Sequence, residues 1–509
     1  MNEVRSQRRA RAKRVSAPRG TTLLIPLDAA SPEPLHRQVY NGLREAILSG
    51  RLPAGAQIPS SRWLADYLGV SRTTVLGAFD QLVAEGYIVG VVGSGSYVAR
   101  QLPDHLLQVR RSPVSGVRSG RAAPLADRLT QLREMPPGVT HLPGRRPAFR
   151  IGVPPVDQFP VSVWSRLAAA RYRALDPTQL FHGPPRGTPA LREAIVTHHT
   201  TARGVRCTPE QVIVVSSAQE AMDLAYRVIL NPGDAAWFED PGYTGARGAL
   251  VTAGARIVPV PVDENGLDVE HGIATEPGAR VVYVTPSHQC PRGSTLSLER
   301  RLALLDWADR SDAWILEDDY DSEYRYTGRP LTALQGLDVA GRVLYIGTFN
   351  KTVFPALRLA YLVLPTGLVD AALAIRSLGA QHAPTLEQGI LTDFLIEGHY
   401  ARHLRAMRVV CRERRDALLD AAAREAAGLL EVERSETGLH MVAWLPPGVD
   451  DRAASAAAAA HGIEAGALSS YSETGPRGRG GLVLGYGGLR HEDVEPAVRA
   501  LAAALRPLV

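Results

Sequence analysis

Lysine is almost missing from this 509-residue chain: of its 57 Lys plus Arg, two are lysines, Lys13 and Lys351. Wherever a positive charge suffices, the sequence uses arginine. A lysine kept deep in an otherwise lysine-free region therefore points to chemistry that a guanidinium cannot do, of which imine formation with an aldehyde is the leading example. Cysteine is also sparse. Cys207, Cys290 and Cys411 lie far apart with no C-x-x-C spacing, which argues against a structural zinc and a disulfide framework and leaves them as packing residues, with Cys290 a candidate neighbour of a site. No apolar run reaches the roughly 18 residues of a membrane span. The basic N-terminus has no apolar stretch behind it and is not a secretory signal, so the expectation is a cytoplasmic protein without a membrane partner.

What is present is a chain 45% apolar and 21% charged, the texture of a soluble, packed protein too long for a single core. The net charge of +5 is unevenly spread: residues 1–20 carry Arg5, Arg8, Arg9, Arg11, Lys13, Arg14 and Arg19 against Glu3 alone. Such a tail either touches nucleic-acid phosphates or is a disordered, solvated leader. Residues 1–34 read as this tail, 35–100 as a compact unit, and 101–140 as a linker rich in Arg, Pro, Gly and Ser with one helix near Leu125–Leu132. From 141 to 509 apolar runs alternate with helical segments: Val212–Ser216, Ala235–Glu239, Arg256–Val262, Val281–Thr285, Trp314–Glu317, Val343–Gly347 and Leu359–Leu364. Continuous runs of this length predict an α/β fold with a mostly parallel central sheet covered on both faces. Alanine-rich helices and the run Leu482–Tyr486 predict a smaller C-terminal α/β lobe.

Within 35–98, Leu35, Val39, Leu43 and Ile47 recur at helical spacing up to Gly50. A second helix, capped by Ser60, buries Trp63, Leu64, Tyr67 and Leu68 and stops at Gly69. The turn Gly69-Val70-Ser71 delivers a third helix, capped by Ser71, whose inward face is Val75, Phe79, Leu82 and Val83. Thr73 and Gly77 point away from that face, Thr74 lies beside them, and Arg72 sits at the N-terminus. Short side chains there let a helix seat deeply in a major groove while Arg72 reaches a base edge or phosphate. The ribbon Tyr87–Val98, with Gly93-Ser94-Gly95 at its tip, reads as a wing. The string LPAGAQIPSSRWLADYLGVSRTTVLGAFDQLVAEGYIVGVVGSGSYV resembles the winged helix-turn-helix head of GntR-type regulators. That resemblance implies that Arg62, Arg72, Thr73, Thr74, Gly93 and Gly95, around the cap Ser71, contact double-stranded DNA.

In the body, Lys351 lies just beyond the run Val343–Gly347, at a strand end, where open α/β sheets place their ligands. Pyridoxal 5′-phosphate (PLP) demands an imine-forming lysine, a carboxylate for its ring nitrogen, a phosphate cradle and an aromatic face. Each has a candidate. Thr348 and Arg358 flank Lys351 and suit phosphate oxygens. Asp318 follows the strand Trp314–Glu317, and Tyr320 is two residues on. Ser216-Ser217-Ala218-Gln219 closes a strand and opens a helix, so that N–H groups near Ala218 and Gln219 face an anion. Tyr243, in EDPGY, is the candidate for stacking. Taken singly these are a solvated turn, a helix cap and a core aromatic. Taken together they lie at successive strand ends.

The body resembles fold-type I aminotransferases, and the whole chain resembles the MocR-type (GabR- and PdxR-like) subgroup of GntR regulators. TPSHQCPRG, EDDYDSEYRY and GTFNKTVFPALRLAYLVLP carry the likeness. The resemblance implies Lys351 as the internal aldimine, Asp318 on the ring nitrogen, Tyr320 on the ring oxygen, Arg358 and Thr348 on the phosphate, and a head-to-tail homodimer. Three places depart from it. Cys290 and Arg292 replace the Asn and Thr of an N-P-T-G motif, leaving His288 or Gln289 to bond the ring oxygen. Phe181-His182-Gly183 stands where many relatives have Tyr-Gly. No arginine aligns as a carboxylate clamp, although Arg477 and Arg479 lie nearby. The expectation is a transcription regulator whose body senses PLP or an amino-compound effector. The rivals are an active aminotransferase carrying a DNA-binding head, and a regulator whose body no longer binds PLP.

Overall fold

The computed structural model describes residues 25–28, 31–91, 94–102, 132, 148–328, 331–475 and 478–509. The chain divides into two compact units, residues 1–123 and 124–509. In the first, β1 (Gln57–Ile58) lies between helices α1 (Leu35–Leu48) and α2 (Ser61–Leu68) in sequence, α3 (Arg72–Ala84) follows, and β2 (Ile88–Val91) and β3 (Gly95–Val98) form an antiparallel ribbon. Both predicted caps are made. The Ser60 hydroxyl accepts from the Trp63 N–H at 3.3 Å and the Ser71 hydroxyl from the Thr74 N–H at 3.1 Å, each holding one N–H that the helix itself leaves open. Gly69 takes φ +69°, a left-handed value that a β-carbon would strain.

Val39, Leu43, Ile47, Leu64, Val75, Phe79 and Leu82 form the buried centre of this unit, as the spacing predicts. Val83 does not join them. It is 48% exposed, because at about 100° per residue it stands ~80° round the helix from Val75, past the edge of the stripe that Ala78 completes instead. Leu35 is likewise exposed, and Trp63 and Tyr67 are half-buried, stacked with ring centroids 4.9 Å apart. Strand β1, paired with β3, escapes sequence reading because two residues carry no alternation. Wing-tip Gly93 lies outside the described residues, as does the helix expected at Leu125–Leu132 apart from its last residue.

The second unit is built on an eight-stranded sheet: β4 (Val212–Val215), β5 (Ala235–Asp240), β6 (Arg256–Asp263), β7 (Gly266–Leu267), β8 (Val281–Val284), β9 (Trp314–Asp319), β10 (Val343–Thr348) and β11 (Ala360–Val363). The order is β4-β11-β10-β9-β8-β5-β6-β7, parallel from β10 to β6 and antiparallel at β11, β4 and β7. Alternate residues of one strand serve opposite faces. Ile213 and Val215 pack against Met222 and Ala225 of the helix Ala218–Ile229, whereas Val212 and Val214 join Leu191 and Ile195 of the helix Pro189–Arg203. Burial on both faces is why these strands read as unbroken apolar runs. A smaller antiparallel sheet, β12 (Glu431–Val432), β13 (His440–Trp444), β14 (Gly466–Ala467) and β15 (Gly481–Gly485), forms the small lobe in the order β12-β13-β15-β14.

One ion pair ties the helix Pro189–Arg203 to the end of β9. Arg203 Nε donates to Asp319 Oδ2 at 2.9 Å with both side chains buried, Arg203 also donates to the Ser287 hydroxyl at 2.6 Å, and the Tyr345 hydroxyl donates to Asp319 at 2.7 Å. Removing the cation leaves a buried carboxylate without its countercharge. Arg203→Met should therefore lower the unfolding free energy of the body by about 3–5 kcal/mol, read from urea unfolding followed by tryptophan fluorescence. An unchanged midpoint would show that the pair contributes nothing.

Candidate functional site

The parallel strands β5, β8, β9 and β10 all run toward one edge of the sheet, and their C-terminal ends bring Asp240, Thr285, Asp318 and Thr348 to it. The three acidic residues of β9 are sorted there by their partners. Glu317 accepts the N–H groups of Leu334 and Gln335, both at 2.8 Å, and Asp319 takes Arg203. Among the described residues Asp318 has neither an ion-pair partner nor an N–H donor. Its Oδ2 accepts from the Tyr283 hydroxyl at 2.8 Å, while its Oδ1 is buried with no partner among the described residues. Burial of that charge pushes the carboxyl up to about 7, the Tyr283 hydrogen bond opposing the shift and Asp319 adding to it.

Lys351 stands three residues past Thr348, the last residue of β10, and is half-buried. Its Nζ donates to the Gly152 carbonyl at 2.7 Å. Gly152 is at φ +67°, a left-handed value that favours glycine, and a β-carbon there would lie 2.6 Å from Nζ and displace the end of the lysine. Enclosure of the ammonium lowers the pKa of Lys351, an effect that Asp321, Cys290 and Asp318 work against. Thr348 is buried and its Oγ1 accepts the Asn350 N–H at 3.2 Å. Arg358 is exposed and holds φ +55°, a conformation that costs a non-glycine residue on the order of 1 kcal/mol and recurs where a side chain must be aimed at a ligand.

The helix Ala218–Ile229 starts at the same edge. Its N-terminus is less open than expected. Glu220 accepts the Ser216 N–H at 2.7 Å and the Ser217 hydroxyl accepts the Glu220 N–H at 3.1 Å, so the free donors are the N–H groups of Ala218 and Gln219. The spacing Ser217-x-x-Glu220 was the signal for this, since an acidic residue three after a serine cap turns back on the helix start. The Gln219 side chain donates to the Gly245 carbonyl at 2.8 Å and faces away from an anion. Tyr243 is half-buried before the helix Thr244–Ala253, its hydroxyl raised by burial and then by the charge of Asp318.

Tyr320 and His288 meet each other directly. The Tyr320 hydroxyl lies 2.9 Å from the His288 carbonyl and 3.0 Å from its Nδ1, and that Nδ1 is also 3.1 Å from Asp321. Gln289 is held elsewhere, its amide donating to Pro241 O at 2.8 Å and to Glu239 at 3.2 Å. Arg479 donates to the Leu445 carbonyl and pairs with Glu431 at 2.5 Å, which removes it as a carboxylate clamp; Arg477 lies outside the described residues. Sequence reading missed Tyr283, Asp321, His440 and Gly152. Tyr283 carried a signal, the one aromatic residue in the run Val281–Thr285. Gly152 carried none, being 199 residues from the lysine it meets.

In the first unit, Arg62, Ser71, Arg72, Thr73 and Gly95 are exposed and Thr74 half-exposed. Arg62 has no hydrogen bond or ion pair among the described residues, and Arg72 has a single long one to Ser61 at 3.4 Å. The exposed face of α3 is therefore basic and short-chained over its first turn, Arg72 and Thr73, with Leu76, Gly77 and Asp80 exposed beyond it.

The body residues fit PLP: an enclosed amine of lowered pKa, a buried carboxylate oxygen lacking a donor, a helix N-terminus with two free N–H groups, and an exposed arginine in a strained conformation. Residues 149–501 match the class I and II aminotransferases, and residues 35–98 match the gntR family of bacterial regulatory proteins. The chain is 39% identical over 485 residues, 95% of its own length and 96% of the relative's, to the "Probable rhizopine catabolism regulatory protein MocR" of Rhizobium meliloti. It is 34% identical over 398 residues, 78% of its length and 81% of the relative's, to the pyridoxine biosynthesis transcriptional regulator PdxR of Corynebacterium glutamicum. Among solved structures it is similar to LysN, an α-aminoadipate aminotransferase of Thermus thermophilus complexed with N-(5′-phosphopyridoxyl)-L-leucine, at 27% identity and TM-score 0.66, covering 75% of this chain and 95% of that one.

The Asp318 carboxyl titrates higher folded than unfolded. Folding is therefore least opposed by this group below its unfolded value near 4, and stability falls as pH rises from there to about 7. Asp318→Asn should stabilise the cofactor-free protein at pH 8 by a few kcal/mol at most, seen as a higher melting temperature, with the gain vanishing near pH 4. Scanning calorimetry at both values checks it; an equal effect at the two pH values would contradict a buried, uncompensated carboxylate.

Proposed function

The chain belongs to the MocR-type subgroup of the GntR family, transcription regulators in which a winged helix-turn-helix accompanies a class I and II aminotransferase domain, and on that premise we propose that its body senses PLP, or an amino compound that reacts with it, at Lys351. The observation that carries this is the bare Oδ1 of Asp318 at the strand edge that also bears the enclosed amine. When bound, the cofactor supplies an aldehyde and an electron-accepting ring. Burial keeps a fraction of Lys351 neutral and nucleophilic. Asp318 holds the proton of the ring nitrogen, Tyr320 meets the ring oxygen with His288 behind it, and Tyr243 covers a ring face. Thr348, Arg358 and the N–H groups of Ala218 and Gln219 hold the phosphate.

Residues 35–100 grip the operator through Arg62, Ser71, Arg72, Thr73 and Thr74 and the wing glycines Gly93 and Gly95, residues 101–140 link, and residues 141–509 sense. The family resemblance implies a head-to-tail homodimer working in the cytoplasm, and the apolar pair Leu180 and Phe181, 67% and 75% exposed, suits burial against a partner surface. To switch DNA binding, the effector must prefer one arrangement of the dimer by a few kcal/mol.

Turnover as an aminotransferase is the second reading, favoured by Lys351 and Asp318 sharing one edge; the engagement of Arg479 by Glu431 weighs against it. An amino donor and a keto acid supplied to the PLP-loaded protein separate the two, the sensor reading predicting no sustained turnover. Added PLP should give a visible absorption band and, after borohydride, a phosphopyridoxyl adduct on Lys351 by peptide mass spectrometry, both lost in Lys351→Ala. A band that persists in that variant would refute the assignment. On the DNA side, Arg72→Ala should weaken operator binding about tenfold in fluorescence anisotropy at fixed salt, and an unchanged affinity would remove Arg72 from the interface.

A further inference from the structure

Behind Tyr320 lies a buried cluster that cofactor chemistry does not call for. Asp321, 1% exposed, accepts from His288 Nδ1 at 3.1 Å and from the Leu439 N–H at 3.2 Å. The His288 ring, also 1% exposed, is closed in by two glycines. A β-carbon on Gly438 would overlap the ring, and one on Gly293 would stand 3.1 Å from its Nε2. Both glycines have positive φ, +80° and +81°. The His440 ring packs on His288 with centroids 4.6 Å apart, and its Nε2 is 3.2 Å from the Pro291 carbonyl.

Gly438, Leu439 and His440 open β13 of the small lobe, whereas His288, Asp321 and Tyr320 belong to loops at the edge of the large sheet. The segment is pinned further by Gly438, whose carbonyl accepts from the Tyr326 and Tyr486 hydroxyls at 2.5 and 2.6 Å and whose N–H donates to the Tyr324 carbonyl at 2.8 Å. The small lobe therefore has no freedom at this point to move independently of the His288 ring.

The hydrogen-bond directions follow from the donors present. A buried Asp321 carboxylate fixes the proton of His288 on Nδ1, which leaves the Tyr320 hydroxyl to donate to the His288 carbonyl. The two contacts of that hydroxyl are thus both to one residue. Any ligand atom that claims the hydroxyl proton must compete with the His288 carbonyl and shift the residue that Gly438 and His440 enclose.

We propose that His288 is a positioning residue that couples the Tyr320 hydroxyl to the small lobe, so that filling the Lys351 pocket is transmitted to residues 438–444. This rests on the reading of that pocket as a PLP site, and it adds the route by which the site reports its state. The coupled element is a backbone segment held between two sets of contacts, so both ends bias the same equilibrium.

Hydrogen exchange of the full-length protein, followed by mass spectrometry with and without PLP, tests it. In the wild type PLP should change the exchange rate of the 438–444 amides by about fivefold or more, the scale of an ordinary coupling between sites. His288→Asn, whose amide stands where Nδ1 did, should keep the response. His288→Phe, which keeps the backbone carbonyl and the ring between the glycines but cuts the Nδ1 link through Asp321 to the Leu439 N–H, should abolish it and also move the visible band of the bound cofactor. Tyr320→Phe, a change of one hydroxyl that the fold tolerates, should abolish the response too, and decides the matter if His288→Phe does not fold. A wild-type band and Lys351 adduct with no change at 438–444, or a full response in Tyr320→Phe, overturns the coupling and leaves the PLP reading standing. Absence of both band and adduct overturns the two together.

Discussion

A carboxylate sealed at the end of a β-strand, with a tyrosine hydroxyl as its one donor among the described residues, is the constraint around which the body of this protein is arranged. Asp318 costs folding free energy at neutral pH, and the neighbouring acids show that the fold can neutralise such charges when nothing else is required of them: Asp319 has Arg203, and Glu317 has two backbone N–H groups. Asp318 has neither kind of partner among the described residues, and in this it resembles Glu323, whose buried Oε2 is also without a hydrogen bond. A site with a missing N–H suits a ligand that brings one, and the enclosed amine of Lys351 on the same edge is what the proposed PLP reading requires of its other end.

The rest of the edge follows from the sheet. Parallel strands buried on both faces end together, so residues separated by more than a hundred positions arrive side by side without any local signal linking them. The glycines that matter are at close approaches: Gly152 against Lys351, and Gly438 against His288. Arg358, seven residues past the lysine, is one of four described non-glycine residues at positive φ.

Much of this was legible in the chain. The seven apolar runs became strands with ends shifted by a residue or so, because β-branched stretches buried on two faces leave little ambiguity. Caps at Ser60 and Ser71 were readable because capping depends on residues three apart. Lys351 and Asp318 stood out by rarity and by position at strand ends. What stayed hidden was long-range: the Tyr283 hydroxyl on Asp318, the Gly152 carbonyl on Lys351, and the Asp321–His288–Gly438 contact between lobes. Val83 was misjudged through treating a helix face as wider than it is, and the free donors at Ser216 through overlooking Glu220.

In the proposed reading the aminotransferase body keeps residues suited to a cofactor while one candidate clamp, Arg479, is engaged by Glu431. That division suits a domain that recognises more than it converts. Its central claim is that Asp318 is completed by a protonated ring nitrogen. The ¹⁵N chemical shift of PLP labelled at that nitrogen and bound to the full-length protein tests it most directly. The account predicts a pyridinium shift at pH 8 that reverts to the neutral pyridine value in Asp318→Asn; a neutral ring in the wild type would contradict it.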